Sequence, residues 1–110
     1  MGIAALTDIE AELVATGIPA SDRRFDLTWH DWLNLRSLVE VSQVIAQAAK
    51  ARENSRGAHF RADFPAPGDL ASSRFTVARQ QSGALDITEE PVRFTHVRPG
   101  ETLVTVRAAE

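Results

Sequence analysis

A mainly α chain, closed by a tail of short antiparallel β-hairpins, is the fold this sequence predicts. Two observations carry that reading. Residues 28 to 56 contain neither Gly nor Pro and are apolar or small over most of the helical circumference. From about residue 64 the period changes: apolar residues alternate with polar ones, and Pro and Gly punctuate the chain. The 110 residues fit one domain, with a helical part over 1–57 and a strand and turn part over 64–110.

The first helix is expected to open at Thr7. Thr7-Asp8-Ile9-Glu10 has the form of a capping box, in which hydroxyl and carboxylate each accept from an unpaired backbone amide. Gly17 offers a left-handed stop and Pro19 prevents continuation. Ile9 and Leu13 share a face, giving a short helix of about 9 residues, or about 14 Å.

The second helix dominates. Thr28 is its expected cap, Asp31 favours the first turn, and the helix is expected to run to Gly57, about 42 Å at 1.5 Å per residue. Arg36, Glu40, Gln43, Gln47 and Lys50 are spaced 4, 3, 4 and 3 residues apart and form one narrow stripe, read as the solvent side. Leu33, Leu35, Leu38, Val39, Val41, Val44 and Ile45, with Ala46, Ala48 and Ala49, cover the rest. Such a helix needs neighbours on two or more sides. Five large aliphatics left uncovered forgo roughly 7–15 kcal/mol as an upper bound, comparable to the stability of a whole domain. The strand part, a second copy or another polypeptide must cover them.

In the second half, Asp63 to Asp69 is turn-rich. Arg74 to Arg79 alternates, with Phe75 and Val77 on one face, Gln80 to Gly83 turns the chain, and Leu85 and Ile87 alternate with Asp86 and Thr88. Arg98-Pro99-Gly100-Glu101 suits a type II turn, and Val92–Val97 with Thr102–Arg107 form either a second hairpin or an extended excursion.

Composition removes several function classes. Twelve basic and 15 acidic residues give a net charge of −3, which argues against nucleic acid as a main partner. No run of 18 apolar residues exists, so no transmembrane segment is expected, and Met1 to Glu12 lacks the basic start of a signal peptide. There is no cysteine, which excludes disulfides and thiolate chemistry; the cytoplasm is the expected location. The histidines show no paired metal-site spacing, and no nucleophile with an accompanying base is evident.

The junction after the long helix carries a resemblance. Arg52-Glu53-Asn54-Ser55-Arg56-Gly57-Ala58-His59-Phe60-Arg61-Ala62-Asp63-Phe64-Pro65 resembles the signature that closes the long helix in the carboxy-terminal domain of succinate dehydrogenase and fumarate reductase flavoproteins, with a related version in L-aspartate oxidase. One departure is Asn54, where the family commonly has Glu. Phe25-Asp26 stands where Phe-Asn is common, and Arg74-Phe75-Thr76 resembles the family's short strand excursion.

The resemblance implies a partial three-helix bundle, like a spectrin repeat, with one long helix and an irregular tail. It also implies packing against an FAD-binding domain, and a first bundle helix upstream of residue 7 that this chain starts too late to contain. None of the family's catalytic residues maps onto this sequence, and the six glycines do not form the flavin-binding Gly-x-Gly-x-x-Gly signature. The expectation is therefore a non-catalytic carboxy-terminal domain or small subunit. It binds no FAD alone, braces a separate FAD-bearing subunit, and is peripheral to a membrane only through such a complex. The expected interface is Arg52, Ser55, Arg56, His59 and Arg61 at the junction, with Leu38, Val41 and Ile45 on the helix.

Alternatives stand beside this reading. The basic cluster can serve only to cap the helix and order the loop. Trp29 and Trp32 are core or staple residues rather than a ligand anchor, and His30 is a surface residue. The whole chain can instead be a stand-alone homo-oligomeric interaction protein that kept the fold without the enzyme.

Overall fold

The computed structural model describes residues 2–18 and 25–101. Helix α1 (Gly2–Thr16) and helix α2 (Leu27–Ala51) are followed by strands β1 (Arg74–Gln81) and β2 (Ala84–Pro91). The mainly helical, hairpin-tailed architecture matches the sequence expectation. Two bundle helices are present among the described residues, and a third is not seen there.

Helix α1 begins five residues before Thr7. Ile3, Leu6, Glu10 and Leu13 recur at helical spacing and form its inner face, which is what extends the helix upstream. Thr7 is therefore not a cap; its hydroxyl donates to the Ile3 carbonyl at 3.2 Å within the helix. The inner face also turns away from Ile9, which is exposed, while Leu13 is buried. Gly17 ends the helix as expected, with a φ of 58° and its N–H on the Leu13 carbonyl at 3.1 Å. Pro19 lies outside the described residues.

Helix α2 is capped by Asp26 rather than Thr28. Asp26 is extended, and its carboxylate accepts from the Thr28 N–H at 2.9 Å. The helix stops at Ala51, six residues before Gly57, because Arg52 turns extended and the Arg61 guanidinium takes the Lys50 and Arg52 carbonyls at 2.6 and 3.0 Å. An end whose last carbonyls find such a donor need not continue. Its 25 residues span about 37 Å.

The two helices form an antiparallel hairpin. Trp32 donates from Nε1 to the Leu13 carbonyl at 3.1 Å, and Gln43 donates to the Glu10 carboxylate at 2.8 Å. Trp32 is half-buried there, in keeping with a core role, whereas Trp29 and His30 are exposed. Only Leu13 and Val39 are buried among the described residues.

The polar stripe does not face solvent throughout. At 100° per residue Val39, Trp32 and Gln43 fall within about 40° of one another. Burying the first two against α1 carries Gln43 inward with them. Gln43 and Gln47 are half-buried as a result, while Leu38, Val41 and Ile45 point away from α1 and are 61%, 55% and 63% exposed.

Strands β1 and β2 pair antiparallel from Arg74↔Pro91 to Gln81↔Ala84. The strands run closer to the turn than the Gln80–Gly83 loop expected. Ser82 and Gly83 make a two-residue loop with φ of 51° and 82°, the geometry that follows the natural strand twist. Ala78, Leu85 and Ile87 share the face turned to α2; Phe75 lies on the other face and is exposed. Residues 92–101 contain no second hairpin strand. The expected turn is there, with the Glu101 N–H on the Arg98 carbonyl at 3.0 Å and φ of 89° at Gly100. Thr102–Arg107 lies outside the described residues.

The chain is extended. Its Cα radius of gyration is 21.4 Å, where a compact domain of this length has about 13 Å. It exposes 9351 Å², where a compact monomer of this mass exposes about 6,000 Å². The core is thin enough that single truncations are decisive. Leu13→Ala removes one of its two buried side chains and is expected to cost about 2–4 kcal/mol, read from the urea midpoint; Val14→Ala, an exposed neighbour, is expected to cost under about 1 kcal/mol.

Candidate functional site

Two features stand out: the junction at the carboxy end of α2, and the uncovered apolar side of that helix.

The junction is built on Ser55. Its hydroxyl donates to the Phe64 carbonyl at 2.8 Å and accepts from the Arg61 N–H at 2.8 Å, while its own N–H reaches the Ala66 carbonyl at 3.0 Å. Arg56 and His59 exchange backbone hydrogen bonds at 2.9 and 3.1 Å around Gly57, whose φ of 56° suits a tight two-residue loop. The Arg56 guanidinium then reaches across to the next segment. It donates to the carbonyls of Pro67 and, at 2.8 Å, Asp69, and to the Ser73 hydroxyl at 2.7 Å. Gly68 permits this approach: its φ is +70°, and a Cβ there would sit 3.4 Å from Arg56 Nη2. The Ser73 carbonyl accepts from Val92 at 2.9 Å, so the same network ties β2 to the end of α2.

Arg61 grips Asp63 through Nε at 3.0 Å and Nη2 at 2.5 Å, and its guanidinium lies 4.4 Å from the Phe64 ring centre. Arg52 donates to the Asn54 side chain at 2.8 Å; Asn54 thus has a local role where an acid is common in the resembling family. The hydrogen bond from Arg61 holds the Asp63 carboxyl below its usual range. The backbone N–H of Ala71 does the same, foremost, for Asp69. His59 is half-buried, and its Nε2 is enclosed without a hydrogen-bond partner.

Arg52, Ser55, Arg56, His59 and Arg61 are therefore brought together. The guanidiniums of Arg56 and Arg61 are engaged by carbonyls, a hydroxyl and a carboxylate of this chain, so helix capping and loop ordering account for those bonds. Leu38, Val41 and Ile45 lie apart from them, along the outer side of α2. Sequence reasoning missed Leu27, and counted Leu35 among the apolar residues of α2 without placing it in the interface; the two are 65% and 45% exposed and extend that side. The spacing 27, 34, 38, 41, 45 was the signal available for Leu27. It also missed Asp26 as cap and the target of Arg56, which depends on how the loop over 67–73 folds back.

At the start of α2 the Thr28 amide is taken by the Asp26 carboxylate, so it is not free to hold a phosphate. Among the described residues, no group of three or more metal-ligating side chains is found, and no helix is long and apolar enough to cross a membrane.

An antiparallel helical hairpin, a guanidinium-locked junction and a two-stranded tail define a mainly helical, hairpin-tailed type of domain in this chain. Residues 1–104 match the family model for the carboxy-terminal part of fumarate reductase flavoproteins, and the chain belongs to that family. It is 33% identical over 94 residues to the fumarate reductase flavoprotein subunit of Mycobacterium tuberculosis, covering 84% of this chain and 16% of that one. It is 32% identical over 77 residues to the Haemophilus influenzae fumarate reductase flavoprotein subunit, 69% of this chain and 13% of that one. A segment of 42 residues, 38% of this chain and 15% of the relative, is 50% identical to the L-aspartate oxidase of Rhodospirillum rubrum. The matched part thus spans between about one eighth and one sixth of the length of these relatives. No solved structure gives a significant match.

Two outcomes follow from the junction. Arg56→Lys keeps the charge but cannot reproduce the planar fork; it is expected to cost about 1–3 kcal/mol and to speed amide exchange at Val92, measured by hydrogen exchange. The Asp63–Arg61 bond responds to pH. Because the folded carboxyl is depressed, its contribution is present above the unfolded value of about 3.9 and is lost as pH falls through the lower folded value. An NMR titration of the Asp63 carboxyl carbon is expected to show that lower midpoint, and Arg61→Gln to move it back up.

Proposed function

We propose that this chain serves as the non-catalytic carboxy-terminal domain of a succinate dehydrogenase or fumarate reductase-type oxidoreductase, bracing a flavin-binding subunit that carries the FAD and the reaction. One observation supports this most: a member of the family whose longest helix leaves Leu27, Leu38, Val41 and Ile45 more than half exposed on one side. Apolar stripes of this length on a soluble chain mark a surface that another body covers.

In this reading α2 supplies the apolar contact. The junction of Arg52, Ser55, Arg56, His59 and Arg61 sets the angle at which the tail meets the flavin-binding subunit, and adds polar contacts at the rim. The domain holds no step of the reaction. It excludes water from the back of its partner and limits the motion of the helices there. A cytoplasmic location goes with it, any membrane attachment being made through the complex.

Mixing the chain with its cognate FAD-loaded flavin-binding subunit tests the proposal. A stable one-to-one complex on size exclusion is expected, with Ile45→Asp weakening it at least tenfold; removing one large apolar anchor from an interface centre commonly does so. Absence of any complex overturns it.

A further inference from the structure

The outer side of α2 is self-complementary. Reading along it, Leu27, Asp31, Asn34, Leu38, Val41, Ser42, Ile45 and Ala49 follow one another at helical spacing, and Arg52 caps the end. Charge sits at the two ends and is of opposite sign; the stretch between Asp31 and Arg52 on this side is uncharged. Leu27, Leu35, Leu38, Val41 and Ile45 are 45–65% exposed. Together they offer roughly 500 Å² per copy, so a symmetric pair buries about 1,000 Å², the lower bound for a specific interface.

We infer that, apart from its flavin-binding subunit, the chain pairs with a second copy of itself through this side of α2, antiparallel about a two-fold axis near Val41 and Ser42. A two-fold contact sets the same patch against itself. In the antiparallel register Leu38 stands opposite the other copy's Ile45, Asn34 opposite Ala49, and Asp31 opposite Arg52. A parallel pair would instead set Asp31 against Asp31 and Arg52 against Arg52, which is disfavoured. The opposite side of α2 is already occupied by α1, through Trp32, Val39 and Gln43, and the hairpin approaches near Gln47 and Ala51. Among the described residues, that leaves Leu27, Leu38, Val41 and Ile45 exposed on this side.

The inference rests on the reading of this surface as a docking side, and makes self-pairing and docking mutually exclusive: the pair must part before the subunit binds.

Sedimentation equilibrium of the full chain alone, at micromolar concentration, is expected to give twice 12.0 kDa; a monomer throughout overturns the inference. The chain has no native cysteine, so single cysteines report geometry. Oxidised Val41→Cys is expected to form a covalent dimer and Asn34→Cys not to. Equal cross-linking of both indicates a parallel pair, and cross-linking of neither another interface; either overturns the proposed register. Asp31→Arg is expected to weaken the pair at least tenfold and Arg52→Asp in the same chain to restore it. Because these readouts use the chain alone, they fail separately from docking. A monomer that still binds the flavin-binding subunit sinks only the self-pairing; a dimer that never binds it sinks only the bracing role.

Discussion

One helix with more apolar surface than a single neighbour can cover governs this molecule. Helix α2 packs its Trp32–Val39 side on α1, and Leu13 and Val39 are the only buried apolar residues among the described residues. Turning that side inward fixes every other side, since helical residues hold their angles relative to one another. Gln43 is drawn into the interface, where Glu10 receives its amide, and Leu38, Val41 and Ile45 are turned out. The polar contact inside and the apolar stripe outside are thus two results of one rotation. Neither is a flaw of packing if the stripe meets a partner.

The junction works on a different principle. It buries little, and its order comes from saturating hydrogen-bond groups. Arg56 holds three acceptors on the segment 67–73, Arg61 holds two helix-end carbonyls and Asp63, and Ser55 both gives and receives. Guanidinium suits this role because its donors are fixed in a plane and stay charged. A thin domain gains direction this way where it lacks the volume for a core. The hairpin is tied to the loop over 67–73 by Val92 on Ser73, and its face carrying Ala78, Leu85 and Ile87 is turned to α2.

The chain matches the end of proteins several times its length. Two features of the described residues make this part stiff: a helix of 25 residues, and a loop system locked by arginines to its last turn.

Much of this was legible in the residues. The run from 28 to 51 without Gly or Pro, and its apolar excess, gave the long helix and its need for company. The Arg52–Pro65 signature gave the family. Alternation around Leu85 and Ile87, with Gly83, gave the hairpin, and Gly17 the end of α1. These are local properties, set by period, caps and steric allowance. Tertiary structure alone decided the rest. Which side of α2 meets α1 could not be read from a helix apolar on most sides, so the stripe of Arg36 to Lys50 was assigned to solvent although Gln43 and Gln47 are half-buried. The stop at Ala51 depends on Arg61, ten residues further on, folding back to take the last carbonyls. The start at Gly2 goes with Ile3 and Leu6 being half-buried on the inner face of α1, which no capping pattern around Thr7 could reveal.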